Sequence, residues 1–341
     1  MAEAATAGGV RRLRPAVEFS RQPFALKVFL AARSTTTASR ATPTGAAGRT
    51  GTAIPKQGTS TSNWSIGIYA GESPLRLGPA EGATNPVLTR ADVTDVEARF
   101  VADPFMLHAG RLWHMFFEVM PASRRVGAIG HATSADGLAW AYDRIVLAEP
   151  YHLSYPHVFE WGGEHLLVPE SHQAGAVRLY RAADFPFGWE PLATLLEGEW
   201  VDPTLFRHGG RWWLFAAAPP RQATRLHLFG AQELTGPWSE HPSSPVVVDD
   251  GSSSRPAGRV VAHGGTLLRF AQDCSRRYGE RVKVFEIEEL TPETYREREV
   301  AGGLAPAVGA GAWNSARMHH VDAHSLGGGR WLCCVDGDGV G

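Results

Sequence analysis

Carboxylic acids recur at two fixed points of a repeated segment in this chain. Each copy begins with a short apolar run, passes through a glycine-rich turn and continues as a second apolar run, as in residues 202–217. Seven of the ten residues that begin and end the copies are acids; the beginnings are Asp103, Tyr155, Asp202, Ala257 and Asp322, and the ends are Glu118, Glu170, Ala217, Asp273 and Asp336. One carboxyl group can protonate a glycosidic oxygen while another activates water or attacks the sugar. Grouped acids therefore favour carbohydrate chemistry, although each Asp-Pro pair taken alone is also an ordinary turn.

This pattern predicts a polar site made from several copies of the repeat. The predicted catalytic acids are Asp103, Glu170 and Asp202. Predicted substrate-binding residues are other polar side chains at or beside the repeat positions, namely Glu118, Tyr155, His157, Arg259, Asp273, His319 and Asp322. Arg255 and Arg317 also offer planar donors to a sugar or phosphate oxygen, or else form structural ion pairs. Trp161 and Trp313 are candidates for stacking on a sugar face.

A histidine-rich string, Met318–His324, suggests a second kind of chemistry. In a strand, His320, Asp322 and His324 share one face because side chains alternate. Two imidazoles and a carboxylate could hold a divalent metal, with His320 and His324 as ligands. The alternative is a hydrogen-bonded polar lining of a channel. The sequence requires no other cofactor.

The repeated segments are predicted to be β-hairpins, because two apolar runs flank each glycine-rich turn. The copies begin near residues 103, 155, 202, 257 and 322, and each interval suits one four-stranded propeller blade. An outer strand pair follows the first hairpin at 127–147, whereas the fifth hairpin has none after it. Residues 64–90 match the missing pair. The sequence therefore predicts an all-β, five-bladed β-propeller over residues 64–341 whose last blade is closed, and the ring completed, by N-terminal strands.

The first 63 residues are predicted to be a separate basic tail. Residues 1–57 carry nine Lys and Arg against two acids, while the whole 341-residue chain has a formal net charge of -2. The tail suits an organelle transit segment, a disordered segment, or a signal peptide or anchor, so we expect an organellar or secretory location. The acidic body does not suit nucleic-acid binding. Three cysteines without metal or redox spacing predict no disulfide framework.

Several long strings carry a family resemblance that covers essentially residues 64–338. The strings are Trp64–Tyr69, Asn85–Thr89, Ala91–Asp95, Phe100–Phe105, His152–Glu160, Ala271–Cys274, Leu290–Pro292 and Met318–Asp322. They resemble the N-terminal domain of glucosamine inositolphosphorylceramide transferases. That domain is similar to the five-bladed propellers of glycoside hydrolase families 43, 32 and 68. The resemblance implies a role in sphingolipid glycosylation, with glycosyl transfer itself expected from a separate C-terminal nucleotide-sugar domain.

The resemblance also implies which acids would act in a hydrolase. The base of those enzymes corresponds to Asp103, their second-blade acid to Tyr155, and their general acid to a position near Asp202 or Glu199; the last two are departures. We therefore expect a propeller that recognises a glycan or glycolipid head group as an accessory to glycosyl transfer. The alternative is a glycoside hydrolase-like enzyme that uses the axial acids. A protein-interaction propeller has less support, because the acids follow repeat positions.

Overall fold

The structure, a computed structural model, describes residues 62–218, 223–309 and 311–339. The predicted tail lies almost wholly outside this part of the chain. The strands in chain order are β1 (Trp64–Ser73), β2 (Arg76–Pro79), β3 (Ala98–Ala109), β4 (Leu112–Pro121), β5 (Ala128–Ser134), β6 (Ala141–Leu147), β7 (Ser154–Trp161), β8 (Glu164–Glu170), β9 (Ala176–Asp184), β10 (Phe187–Glu197), β11 (Val201–His208), β12 (Arg211–Ala218), β13 (Arg225–Ala231), β14 (Ser239–Glu240), β15 (Arg255–Pro256), β16 (Val261–His263), β17 (Thr266–Asp273), β18 (Arg281–Leu290), β19 (Tyr295–Leu304), β20 (Val321–Gly327) and β21 (Arg330–Asp338). Two short 3-10 helices cover Arg90–Asp92 and His172–Ala174. No helix in the described ranges is long and apolar enough to cross a bilayer.

The strands form five antiparallel sheets, one per propeller blade. Blade 1 contains β3–β6, blade 2 β7–β10, blade 3 β11–β14 and blade 4 β15–β19, while blade 5 has the order β2-β1-β21-β20. The predicted all-β, five-bladed propeller is confirmed.

The chain closes the ring with strands from its two ends. Strand β1 pairs antiparallel with β21, with Trp64 opposite Asp338 and Gly71 opposite Trp331. The Ile66 N–H donates to the Leu88 carbonyl at 2.8 Å, so residues before β3 extend the same sheet. The predicted closure is confirmed. Pairing with β1 satisfies the backbone hydrogen-bonding groups along the edge of β21 that would otherwise be exposed.

Apolar side chains pack the blades against one another. Phe105 and Phe116 of blade 1 pack with Tyr155 and Val158 of blade 2, and all four are fully buried. Cys333 and Cys334 of blade 5 are also buried and free. This packing fixes the inner strands, and therefore the polar residues that they carry toward the axis.

Three inner strands, β3, β7 and β11, contain the same strained backbone step. Asp103, Tyr155 and Asp202 have φ values of 51°, 47° and 50°, and each precedes a proline. A bulge follows in β3, β7 and β11. Positive φ at a non-glycine residue is unfavourable and persists only where surrounding contacts impose it. The shared step thus marks the end of the axis where these side chains meet.

Candidate functional site

Five buried acids from four blades form the candidate site. We call them the carboxylate cluster: Asp103, Glu118, Glu170, Asp202 and Asp336. The Asp103 N–H donates to Asp336 at 3.1 Å, and the Asp202 N–H donates to Glu170 at 3.1 Å. Each of these contacts joins the first strand of one blade's hairpin to an acid near the end of the second hairpin strand in a neighbouring blade. The hairpin repeat therefore brings together Asp103, Glu118, Glu170 and Asp202 among the predicted site residues.

One half of the cluster is held by cationic and amide donors. Arg255 donates from Nε to Asp202 Oδ2 at 2.5 Å, and Gln272 Nε2 donates to the same oxygen at 3.0 Å. Glu170 contacts His172 Nδ1 at 2.8 Å. Burial raises the pKa of Glu170, but the His172 hydrogen bond and the Arg255 charge outweigh it and lower that pKa to about 2. This half is a satisfied ion-pair network.

The other half is built around Asp336. This buried carboxylate accepts the backbone N–H groups of His319 and His320 at 3.1 and 3.0 Å, and it contacts His319 Nδ1 at 2.7 Å. Burial raises the pKa of Asp336, but His319 outweighs it and the net shift is downward. His319 Nε2 then lies 3.6 Å from Asp103 Oδ1.

Glu118 is the least satisfied member of the cluster. Its buried Oε1 has no hydrogen-bond partner within the described residues, and His152 Nε2 approaches it only to 3.7 Å. Burial, followed by the charges of Asp103, Glu170, Asp336 and Asp202, raises the pKa of Glu118 well above its ordinary value. Burial also raises the pKa of Asp103 to about 6, against the opposing effect of His319. The raised pKa of Glu118 and the lowered pKa of Glu170 would allow these two acids to divide the roles of proton donor and acceptor.

Asp322 lies deeper along the axis than the sequence suggested. It faces Cys334 across the hairpin, as Phe105 faces Phe116 in blade 1, whereas Asp103 stands at the preceding bulge. The reason is that β20 begins without the bulge found in blades 1 to 3. Asp322 therefore lies outside the carboxylate cluster.

Asp322 belongs instead to a set of buried and half-buried polar groups that we call the axial network: His157, Arg259, Asp322 and His324. Arg259 Nε donates to Asp322 Oδ1 at 2.7 Å, and Arg259 Nη2 donates to the Val158 carbonyl at 3.0 Å. The Met106 N–H and His324 Nε2 contact Asp322 Oδ2 at 2.7 and 2.8 Å. The network ties four blades together and has few free polar atoms for a ligand.

Two other predicted site residues, Tyr155 and Asp273, lie outside the carboxylate cluster. Tyr155 is fully buried, and its hydroxyl contacts Thr204 Oγ1 at 2.8 Å and accepts the Gly258 N–H at 2.7 Å. Asp273 pairs with Arg281 at 3.1 Å, at the start of β18. Both residues thus have structural partners.

The tryptophans proposed for stacking are also placed elsewhere. Trp161 lies at the far hairpin end of β7, opposite to the end that begins near Tyr155. Trp313 packs against Gly67 and Gly337.

The histidines proposed as metal ligands separate into two places. His324 pairs with Asp322 as alternation predicted, but His320 precedes β20 and its Nδ1 lies 4.0 Å from Asp103 Oδ1. Within the described ranges, the group whose ligand atoms come within 4.8 Å of one another is Asp103, His319 and Asp336.

Aromatic rings and further polar side chains complete the rim of the cluster. Trp64 stacks on His319 with ring centroids 4.0 Å apart, and Tyr278 lies 5.0 Å from the Arg255 guanidinium. The sequence repeat gave no signal for Tyr278, Gln272 or His172. Trp64 could be found only as the first residue of the closing strand.

A separate cavity lies between blades 3 and 4, away from the carboxylate cluster. It measures about 510 Å³ and is lined by His208, Thr266, Glu286 and Arg298, among others. His208 stands at the hairpin end of β11, whereas Asp202 of the carboxylate cluster stands near the other end of the same strand.

The described residues form a five-bladed propeller whose axis carries the carboxylate cluster, and two solved structures share its fold. β-1,2-Mannobiose phosphorylase from Listeria innocua superposes with a TM-score of 0.57 at 11% identity, covering 80% of this chain and 96% of that one. An exo-β-1,3-galactanase from Clostridium thermocellum gives a TM-score of 0.53 at 12% identity, covering 64% of this chain and 54% of that one. At such identities the similarity establishes the fold alone.

Sequence comparison identifies the family. Residues 57–338 match the family described as glucosamine inositolphosphorylceramide transferase 1, N-terminal. Glucosamine inositolphosphorylceramide transferase 1 of Oryza sativa subsp. japonica is 40% identical in an alignment of 299 positions that covers 82% of this chain and 40% of the relative. The chain therefore belongs to the family of glucosamine inositolphosphorylceramide transferase N-terminal domains, and it spans about 40% of the length of that curated relative.

Proposed function

We propose that this propeller recognises the glycan head group of a glycolipid at the carboxylate cluster, as an accessory to glycosyl transfer by a separate catalytic domain. The observation that carries the proposal is the gathering of five buried acids at one end of the axis, with Glu118 Oε1 left without a hydrogen-bond partner among the described residues. Sugar hydroxyl groups are donors that such an oxygen can accept, and a buried acceptor without a partner is costly.

The names of the relatives suggest the head group to test. They are glucosamine inositolphosphorylceramide transferases, so the proposed ligand is an inositol-phosphate glycan with an amino sugar. An ammonium group of that sugar would be attracted by the acids. Asp103 and Glu118 have the fewest side-chain hydrogen bonds in the cluster, so they are the members that a ligand would engage.

Binding without turnover is favoured because the other predicted catalytic groups are already engaged. Asp202 is occupied by Arg255 and Gln272, and Glu170 contacts His172 at 2.8 Å. A hydrolase remains the second candidate, because Glu118 and Glu170 have pKa values shifted in opposite directions, as a proton donor and acceptor require.

A binding assay paired with a turnover assay tests the proposal. Calorimetry measures affinity for a glucosamine-containing inositol-phosphate glycan, and aryl glycosides and the same glycan are screened for hydrolysis. Glu118→Ala should weaken binding roughly 10- to 100-fold, because it removes the acceptor oxygen, which Glu118→Gln would keep. Asp273→Ala is the matched control, because this acid occupies the corresponding position of blade 4 but pairs with Arg281.

The outcomes separate the candidates. Binding that is lost in Glu118→Ala and kept in Asp273→Ala, without turnover, supports the proposal. Turnover that disappears in Asp103→Asn and Glu170→Gln would replace it with the hydrolase. Absence of both binding and turnover would contradict a glycan role and favour a protein-interaction propeller.

A further inference from the structure

The loop that joins β17 to β18, residues 274–280, is fixed in place beside the carboxylate cluster. The Gly279 N–H donates to Cys274 Sγ at 3.3 Å, and the Glu280 N–H donates to the Asp273 carbonyl at 2.9 Å. Gly279 has a φ of 63°, and a Cβ at this position would lie 2.7 Å from the Cβ of His319. Only glycine permits so close an approach, so the loop is held against His319.

This loop presents the aromatic ring of Tyr278 at the edge of the cluster. The ring contacts Trp64 and His319 edge-on, with centroids 6.5 and 5.3 Å apart. The Arg255 guanidinium lies 5.0 Å from the centroid of the same ring. Tyr278 is 36% exposed, whereas Trp64 is only 4% exposed. Tyr278 is therefore the rim ring against which a neutral sugar or cyclitol ring can pack.

The neighbouring Arg277 carries a positive charge that no acid compensates among the described residues. The other arginines of this region, Arg276 and Arg281, form ion pairs with acids. Arg277 is exposed, and its Nη2 donates to the Ala316 carbonyl at 2.6 Å. A guanidinium with a single backbone contact keeps donors free, and its planar fork suits a phosphate group.

The two ends of the head group named for the relatives carry opposite charges. In inositolphosphorylceramide, the phosphoryl group stands between the inositol and the ceramide. A glucosamine on the inositol then carries its amino group on the side away from the lipid. The carboxylate cluster suits the ammonium end of such a molecule, and Arg277 suits the phosphate end.

We propose that Arg277 binds the phosphate of the head group, while the inositol ring packs on Tyr278 and the amino sugar faces the carboxylate cluster. This inference rests on the proposed function and adds the direction in which the ligand binds. The amino sugar enters first, and the phosphate stays at the exposed rim, where the lipid is attached. The reverse orientation would bring the phosphate to five acids, which repel it.

The test compares two ligands that differ only in the phosphate. Calorimetry at low salt measures the affinity of the full chain for the glucosamine-containing inositol-phosphate glycan and for the same glycan without its phosphate. We expect the phosphorylated glycan to bind roughly 5- to 10-fold more tightly, the effect of about one arginine beside an anionic phosphate. Arg277→Ala should reduce this preference to about twofold or less by weakening the binding of the phosphorylated glycan.

Arg124→Ala is the matched control. Arg124 lies in the corresponding loop of blade 1, is exposed, and also donates to a backbone carbonyl, that of Glu149, at 3.0 Å. Arg277→Lys should keep part of the preference, because lysine retains the charge without the planar fork. Tyr278→Ala should weaken the binding of both glycans by a similar factor, because both contain the inositol ring.

Each outcome decides the proposal. A preference for the phosphorylated glycan that Arg277→Ala removes and Arg124→Ala keeps supports it. Equal affinity of the unmodified chain for the two glycans overturns it and leaves the proposed function standing. A preference that Arg277→Ala leaves intact, or that Arg124→Ala removes equally, also overturns it. Absence of binding to both glycans overturns the proposed function and this inference with it.

Discussion

Replacing Arg259 with methionine should destabilise the propeller strongly, because it leaves Asp322 as an uncompensated buried charge. Asp322 is fully buried, and the burial cost of its carboxylate is offset by Arg259, which also lowers its pKa. After Arg259→Met, only the Met106 N–H and His324 would remain of the contacts described above. Breaking a buried ion pair from one side typically costs about 3–5 kcal/mol, and we expect that loss in the free energy of unfolding.

Urea denaturation at pH 7, extrapolated linearly to water, measures this loss. The control is Arg296→Met, an exposed arginine that pairs with Glu288 and Glu289 on blade 4, where the free energy of unfolding should change little because exposed ion pairs contribute little. In a double-mutant cycle, the combined variant Arg259→Met with Asp322→Asn should lose clearly less free energy of unfolding than the sum of the losses in the two single variants.

A loss for Arg259→Met no larger than that of the control would refute the structural role of the axial network. Unchanged stability together with lost glycan affinity would restore Arg259 and Asp322 to the substrate-binding role that the sequence suggested.

Three further predictions concern closure, pH and packing. Deleting residues 1–90 should expose the β21 edge and cause aggregation or a much lower melting temperature, whereas deletion of residues 1–60 should not; equal melting of the two forms would contradict closure. Glu170 has a pKa lowered from 4.5 to about 2 in the folded state, so its contribution to stability is present above pH 4.5 and lost as the pH falls toward 2; Glu170→Gln should flatten this part of the stability profile, and an unchanged profile would count against the His172 and Arg255 contacts. Gly67→Ala would place a Cβ 2.5 Å from the Trp313 ring and should cost about 1–3 kcal/mol in thermal or urea unfolding, while Gly78→Ala, with no atom within 4 Å, should cost at most about 1 kcal/mol; similar losses would show that Trp313 yields easily.

The repeat made the fold and part of the site predictable from sequence. The glycine-rich turns indicated which strands form hairpins, and the additional strand pair at 64–90 indicated how blade 5 is closed. The positions of Asp103, Glu118, Glu170 and Asp202 within their repeats indicated that these acids lie at one end of the axis. These features depend on local patterns that recur in each blade.

The remaining features depend on contacts between blades, which a repeat does not encode. Asp322 was assigned to the wrong depth because β20 lacks the bulge that follows Asp103 and Asp202. Tyr155 occupies a repeat start, yet its hydroxyl reaches blades 3 and 4. Gln272 and His172 meet the cluster through side-chain directions that only the assembled blades determine.

A crystal structure of the propeller soaked with the glucosamine-containing inositol-phosphate glycan tests the central claim most directly. We predict sugar oxygen or nitrogen atoms within hydrogen-bond distance of Asp103 or Glu118, beneath the rim formed by Trp64 and Tyr278. A glycan bound instead in the cavity of about 510 Å³ between blades 3 and 4, with the carboxylate cluster not contacted, would contradict the account.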